Sequence, residues 1–197
     1  GDNAPVYFHP STSLPRVKRL LKGEGDPLLH AASATAGDVI VDCTAGLASD
    51  AIVLSYAAGE NGAVTAIESE PAVCAIVETG LASYATELDA FNAAMRRIRM
   101  VCGHHLDVLR GMGDRSADIV YFDPMFRDPI RHSSSISPLR AVANAAPLTE
   151  EAIREARRVA RKRIVMKEHR DGGEFDRLGF DDVLRTHSKI AYGVIQL

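Results

Sequence analysis

Five short apolar runs recur along the chain: "DVIVDC" (38–43), "AVTAIE" (63–68), "IRMVCG" (98–103), "ADIVYF" (117–122) and "RIVMK" (163–167), with helical stretches between them. Strands that read as near-continuous Val, Ile and Ala are buried on both faces, and parallel neighbours need a crossover of a dozen or more residues. Alternation at this spacing predicts a parallel sheet covered by helices on both sides. "ASDAIVLSYAAG" (48–59) reads as one such helix, closed by Gly59, and an Asn-Gly turn at 61 and 62 leads into the next strand. Another helix begins near Pro71, whose fixed φ suits the first helical position. The last stretch, "VLRTHSKIAYGVIQL" (183–197), holds two β-leaning runs with no room for a crossover helix, which predicts an antiparallel hairpin.

Ahead of the sheet, "SLPRVKRLLKGEGDPLLHAAS" (13–33) reads as a short basic helix, a glycine-rich turn and a second helix. Asp26 is its expected cap and Pro27 its first residue. This piece has too little apolar content to stand alone. Residues 1–36 are therefore expected to pack as a helical segment on a core formed by 37–197, and 197 residues suit one structural domain overall.

The chain is 46% apolar and 25% charged, the balance of a soluble globular protein. No apolar run is long enough to cross a bilayer and no signal-peptide pattern opens the chain, so a cytoplasmic location without membrane contact is expected. Three cysteines, Cys43, Cys74 and Cys102, lie in apolar surroundings with no C-x-x-C pair and are expected to be reduced, buried thiols. The histidines form no H-E-x-x-H or Cys/His pattern, and His104 and His105 are too close in sequence for a typical zinc pair, so no metal is expected. The net charge of −3 does not announce a nucleic-acid binder, yet the charge is uneven. "PRVKRLLK" (15–22) has four basic residues and no acid, and "REARRVARKRIVMKEHR" (154–170) has eight Lys or Arg against two Glu. Such clusters either track phosphates or form a solvated helix face.

Ligands of an open α/β sheet bind at the carboxyl ends of the strands. The first strand ends at Asp42, and "CTAGLAS" leads from it into a helix. Gly46 permits a sharp turn and a close backbone approach, and Ala45 and Ala48 keep that approach open. The second strand ends at Glu68, a carboxylate suited to accepting both hydroxyls of an adenosine ribose. NAD would require G-x-G-x-x-G to seat its pyrophosphate on the helix N-terminus, whereas this loop has one glycine and places Asp50 in the first helical turn. S-adenosylmethionine (SAM) has no phosphate, carries a sulfonium and an ammonium, and tolerates Asp42 and Asp50, so SAM is the expected cofactor. The plain alternative is that these acids cap helices and Gly46 serves a turn.

The fourth strand ends in "DPMF", Asp123, Pro124, Met125 and Phe126, the candidate catalytic turn. Pro124 fixes its own φ and biases Asp123 towards an extended conformation, so the turn is stiff. The lone pair of an exocyclic base amine is delocalised into the ring. A carboxylate and backbone carbonyls that accept its two N–H groups draw the nitrogen towards tetrahedral geometry and aim the lone pair at a methyl donor. Phe126 offers a face on which a base can stack, worth ~1–3 kcal/mol. The plain alternative is an Asp-Pro turn whose Phe126 returns to the core.

"DPMF" resembles the D/N-P-P-Y/F motif of amino-directed methyltransferases. "VDCTAGLASDAIVLS" (41–55), "KGEGDPLLHA" (22–31), "IVYFDPMF" (119–126) and "RVARKRIVMK" (158–167) resemble, in collinear order, segments of the RsmJ family, which methylates a guanine N2 in 16S ribosomal RNA. The resemblance implies the class I methyltransferase fold: a doubly wound, mostly parallel Rossmann-like seven-stranded sheet with a C-terminal antiparallel hairpin. It implies SAM contacts at Ser49 and Asp50, at Glu68 with Ser69, at the His104–His105 pair and at Asp123. The chain departs from the family pattern at Ser49, at His104 and His105, and at Arg127 directly after the turn. The expected activity is methylation of an RNA guanine amine, with 16S rRNA or a small-subunit particle as partner. Rival readings are a methyltransferase of a small molecule or protein, and a non-catalytic SAM-binding assembly factor. The polar stretch 127–147 has the composition of a lid.

Overall fold

Where strand order reverses, two loops leave neighbouring strands in opposite directions and open a crevice. The computed structural model describes residues 7–10, 12–124, 147–186 and 188–197. Its strands are β1 (Val39–Asp42), β2 (Ala63–Glu68), β3 (Ile98–Cys102), β4 (Ala117–Phe122), β5 (Ala160–His169), β6 (Asp182–Arg185) and β7 (Ile190–Gln196). They form a seven-stranded sheet in the order β3-β2-β1-β4-β5-β7-β6. β1 to β5 run parallel, and β7 pairs antiparallel with both β5 and β6. This is the doubly wound sheet with a C-terminal antiparallel hairpin that the alternation predicts. The order reverses between β1 and β4, where Asp42 stands in register with Tyr121.

The described helices are α1 (Ser13–Leu21), α2 (Pro27–Ala32), α3 (Ser49–Ala58), α4 (Pro71–Ser83), α5 (Asp89–Arg96), α6 (His105–Gly111), α7 (Glu150–Val159) and α8 (Glu174–Leu178). Successive strand residues point to opposite faces. Ile40 and Tyr121 accordingly enter one core with Val17, Leu28, Ile52 and Phe91, while Val41 and Phe122 enter the other with Leu109, Ile153 and Ile164. All six residues of β4 are buried, as a central strand covered on both sides requires. The Asp26 carboxylate caps α2 by accepting from the Leu28 and Leu29 N–H groups (3.0 and 3.4 Å), with Pro27 as first residue. Val17 of α1 and Leu28 of α2 are fully buried in the same core as α3.

Three expectations change. The fifth strand is ten residues long rather than five, because β4 pairs with it from Ala160 and β7 from Arg163 to His169. The cysteines are not three reduced buried thiols. Cys74 of α4 and Cys102 at the exposed end of β3 form a disulfide with Cα atoms 5.7 Å apart, leaving Cys43 free and buried. The two are separated by 28 residues and meet only because α4 crosses back over the β2–β3 pair.

Most of the basic 154–170 segment is neither a solvated face nor free for phosphates. Arg158 donates to the Leu109 and Met112 carbonyls and pairs with Asp114 and Glu155. Arg161 pairs with Asp118, Lys162 with Asp38 and Asp118, and Arg163 donates to the Ala31 carbonyl. The Asp38 and Asp118 pairs lie at the amino ends of β1, β4 and β5, the edge opposite the strand termini that carry Asp42, Glu68 and Asp123.

Gly193 of β7 shows how tightly the hairpin side is filled. A Cβ there would meet two atoms of the Phe175 ring at 2.5 and 2.7 Å and the Phe180 Cβ at 2.9 Å. Overpacking of this kind costs about 1–3 kcal/mol. Gly193→Ala is expected to lower the urea midpoint by that free energy with an unchanged denaturant slope.

Candidate active site

The loop between β1 and α3 is held open by its own backbone. The Cys43 N–H donates to the Tyr121 carbonyl (2.9 Å) and the Ala45 N–H to the Ile67 carbonyl (2.9 Å), so the loop is tied to β4 on one side and β2 on the other. Gly46 (φ 50°) and Ala48 (φ 62°) both take the left-handed conformation. Gly46 does so at little cost. Ala48 pays on the order of 1 kcal/mol for its Cβ, and its complete burial holds it there. The Gly46 N–H donates to Glu68 Oε2 (3.0 Å) and the Glu70 N–H to Glu68 Oε1 (2.8 Å), which orients the acid ending β2 beside the glycine turn. Ser49 is the first residue of α3 and Ser69 follows Glu68, both half-buried.

The turn after β4 is joined to the same loop. The Asp123 N–H donates to Thr44 Oγ1 (2.5 Å), and the Thr44 N–H donates to Asp42 Oδ1 (3.0 Å). Asp123 Oδ2 receives the Lys167 ammonium at 2.7 Å, and the same ammonium lies 3.2 Å from Asp50 Oδ2. Asp50 also accepts from the Tyr121 hydroxyl (2.7 Å) and pairs with Arg16 (2.5 Å), whose Nε is 2.7 Å from Asp26. Asp50 is therefore the centre of a buried charge cluster spanning α1, α3, β4 and β5. Met125, Phe126 and Arg127, together with most of the 127–147 stretch read as a lid, lie outside the described residues.

The cluster shifts its members in physically separable ways. Burial pushes the Asp42 carboxyl well above the carboxylate range; the Thr44 N–H opposes this, and the charges of Asp50 and Asp123 add to it. For Asp50 burial acts in the same direction, but Lys167 and Arg16 outweigh it and hold the group below its ordinary value. Asp123 ends up raised: burial lifts it, Lys167 opposes, and Asp50 adds. Burial would lower the Lys167 ammonium, but Asp50 and Asp123 win and keep it charged.

On the far side of the crevice, His104 caps α6 by accepting the Leu106 N–H at Nδ1 (3.3 Å). His104 stacks on His105 (4.3 Å between centroids), and His105 meets the Phe122 ring edge-on (5.8 Å). The Gly103 N–H donates to the Glu68 carbonyl (2.9 Å), joining this segment to the end of β2.

The structure thus brings Asp42, Ala45, Gly46, Glu68, Ser69, His104, His105, Asp123 and Pro124 to one sheet edge, with the Asp50 carboxylate turned into the charge cluster. Sequence reading missed Thr44, Tyr121, Arg16 and Lys167. None of the four left a local trace: Lys167 lies in a strand that also carries Arg161, Lys162 and Arg163.

The site's charge balance tests the expected cofactor. Three carboxylates, Asp26, Asp50 and Asp123, face two cations, Arg16 and Lys167, beside the Asp42 carboxyl that burial pushes towards its neutral form. An excess of negative charge complements a ligand bearing a sulfonium and an ammonium and repels a pyrophosphate. Small residues line the loop, and an acid anchored by backbone N–H groups closes the second strand. These residues fit SAM.

Comparison with known proteins agrees. Residues 5–177 match the model of a family described as putative SAM-dependent methyltransferase. The uncharacterized protein YpiP of Bacillus subtilis (strain 168) is 45% identical over 193 residues, covering 98% of this chain and 75% of that protein. Ribosomal RNA small subunit methyltransferase J of Shewanella loihica is 34% identical over 133 residues, covering 65% of this chain and 49% of that protein. The same-named protein of Shewanella amazonensis is 32% identical over 152 residues, covering 74% of this chain and 59% of its own length. The chain thus spans about half to three-fifths of these two relatives. The SAM-dependent methyltransferase NGO1261 of Neisseria gonorrhoeae superposes over 100% of this chain and 76% of its own, with a TM-score of 0.69 and 25% identity.

Burial, then the charge on His104, lowers His105 from 6.5 to about 4. A histidine depressed in the fold contributes stability that is complete above pH 6.5 and is lost as pH falls towards 4, because the unfolded chain binds the proton first. Wild-type protein is expected to lose stability relative to His105→Gln across that window, as measured by urea unfolding of both at stepped pH.

Proposed function

The chain belongs to the putative SAM-dependent methyltransferase family, and from that premise we propose that it methylates the exocyclic N2 amine of a guanosine in small-subunit ribosomal RNA. The observation that carries the reading is the bond from the Asp123 N–H to Thr44 Oγ1, which fastens the Asp-Pro turn to the glycine loop at the point where strand order reverses. Support for the RNA target comes from the relatives named ribosomal RNA small subunit methyltransferase J.

SAM, when bound, supplies a methyl group already activated on a sulfonium. Glu68 is assigned to the ribose hydroxyls, with the backbone of Ala45 and Gly46 and the side chains of Ser49, Ser69, His104 and His105 around the rest of the adenosine. The Asp50 cluster offsets the cofactor's positive charge, and Asp42 holds the loop through the Thr44 N–H. Asp123 accepts an N–H of the target amine, Pro124 keeps the turn stiff, and Met125 and Phe126 complete the motif, with Phe126 as the stacking face for the base. Asp123 would hold the amine with its lone pair towards the methyl group that SAM would supply, and the proton released on methylation would pass to solvent. Since the methyl group arrives activated, alignment supplies most of the acceleration. Any base inside a duplex must first be unstacked. The exposed Lys18 and Arg19 on α1 and Lys22 at its C-cap carry no ion pair among the described residues and are assigned to phosphate contact.

The internal pairing of Arg158, Arg161 and Lys162 favours one other reading, a small-molecule or protein amine as acceptor, because it removes cations that RNA would use.

Glu68→Ala is expected to weaken SAM binding about 10- to 100-fold in calorimetric titration, the loss of charge-assisted hydrogen bonds. Asp123→Ala is expected to retain SAM within a few fold and to lose about 100-fold or more in methyl transfer. A map of methylated guanines in rRNA from cells with and without the protein tests the target. An unchanged map, with turnover of a small amine, selects the other acceptor.

A further inference from the structure

Lys167 shares one ammonium between two carboxylates, Asp123 Oδ2 at 2.7 Å and Asp50 Oδ2 at 3.2 Å. Among the described residues Lys167 is the cation on the Asp123 carboxylate, with the Asp50 carboxyl also in hydrogen-bonding range of it; Thr44 holds only its backbone N–H. Asp50, by contrast, is well supplied, with the Tyr121 hydroxyl on Oδ2 and Arg16 on Oδ1. Arg16 is itself fixed by a two-pronged contact to Asp26, Nε to Oδ2 (2.7 Å) and Nη2 to Oδ1 (2.9 Å), at the cap of α2. A chain of alternating charge therefore runs Asp26, Arg16, Asp50, Lys167, Asp123, from the N-terminal helices to the Asp-Pro turn.

We propose that Lys167 is a positioning residue for methyl transfer, gripping Asp123 through Oδ2 so that Oδ1 is presented to the target amine, and that Asp50 and Arg16 set the strength of that grip. The proposal rests on the reading of Asp123 as the motif acid. Two adjacent carboxylates without the ammonium between them could not both stay ionised in a buried site. A protonated Asp123 would spend one oxygen as a donor and rotate away from the amine. Arg16 matters because it satisfies Asp50. Without Arg16, Asp50 competes harder for Lys167 and the grip on Asp123 loosens. Burial, the first influence on Asp123, favours the neutral carboxyl; Lys167 opposes it and Asp50 reinforces it. The other groups facing the pair are Asp42 from β1, Tyr121 from β4, Tyr192 from β7 and Glu168 beside Lys167. All are retained in the variants below, so differences between variants report on the relay.

The test is a carbon-13 NMR titration of the full chain labelled at aspartate side-chain carboxyls, with Asp123 assigned as the resonance missing from Asp123→Asn. Lys167→Met is expected to raise the Asp123 midpoint by about 1–3 pH units, the effect of removing an opposite charge within contact range. Asp50→Asn is expected to lower it, because a like charge is removed and the ammonium is released wholly to Asp123. Arg16→Met should raise it by less than Lys167→Met, and Lys167→Arg should restore it to near the wild-type value. Opposite signs for Lys167→Met and Asp50→Asn are the signature, since a residue that merely held the fold would move both the same way or neither. If Lys167→Met fails to fold, the Asp50→Asn titration decides alone: a midpoint that stays or rises overturns the relay. In methyl-transfer assays at saturating SAM the acid limb of kcat should follow each shift. Shifts as expected without any rRNA methylation would leave the relay standing and sink the RNA target. Normal rRNA methylation with an Asp123 midpoint indifferent to Lys167 and Asp50 would do the reverse.

Discussion

A buried carboxylate must be paired, and Asp50 is paired from three directions at once. Taking a charge out of water costs several kcal/mol even after relaxation, so Arg16, Tyr121 and Lys167 cannot drift from it without leaving a costly orphan. Each partner comes from a different element: α1, β4 and β5. The first turn of α3 therefore ties the N-terminal helices to the centre of the sheet, and the geometry of the crevice depends on that tie. Hydrophobic burial drives the two cores together, but burial is non-directional. The ion cluster supplies the direction, placing the β1–α3 loop and the turn after β4 against each other.

The two edges of the sheet divide their charges by purpose. At the amino ends of the strands, Arg161 and Lys162 pair with Asp118 and Asp38, with the basic partners partly exposed. Pairs of that kind contribute little each, and they consume cations that the sequence offers to a phosphate backbone. At the carboxyl ends the balance tips to excess carboxylate, and the first loop uses small residues where bulk would close the crevice. A cationic cofactor, rather than a phosphorylated one, suits that edge. The disulfide between Cys74 and Cys102 stands at the outer side of the same edge, tying α4 to the end of β3 beside Glu68, with which Cys102 is in register.

Much of the fold was legible because its signals are local. Pro27 behind Asp26 and Pro71 after the second strand mark helix starts through φ alone, and both helices begin there. "AVTAIE" and "ADIVYF" match β2 and β4 residue for residue, since an apolar run bounded by turn signals has nowhere else to go. Only half of "ARKRIVMKEH" reads as strand, because its polar ends look like loop until β4 is known to pair with the first and β7 with the last. The acids ending β1 and β2 and the Asp-Pro turn were legible as well, for strand ends are where an open parallel sheet puts its chemistry.

The sequence by itself determined the period of the elements, the edge on which Asp42, Glu68 and Asp123 must stand, and the stiffness of the turn after β4, all of which follow from φ preferences and alternation within a few residues. Only the tertiary structure decided which charges meet. Lys167 is 44 residues from Asp123 and 117 from Asp50, and Arg16 is 34 from Asp50. Coulomb attraction and hydrogen bonding act through space, so no local pattern distinguishes the lysine that holds Asp123 from the arginines nearby that hold the opposite edge.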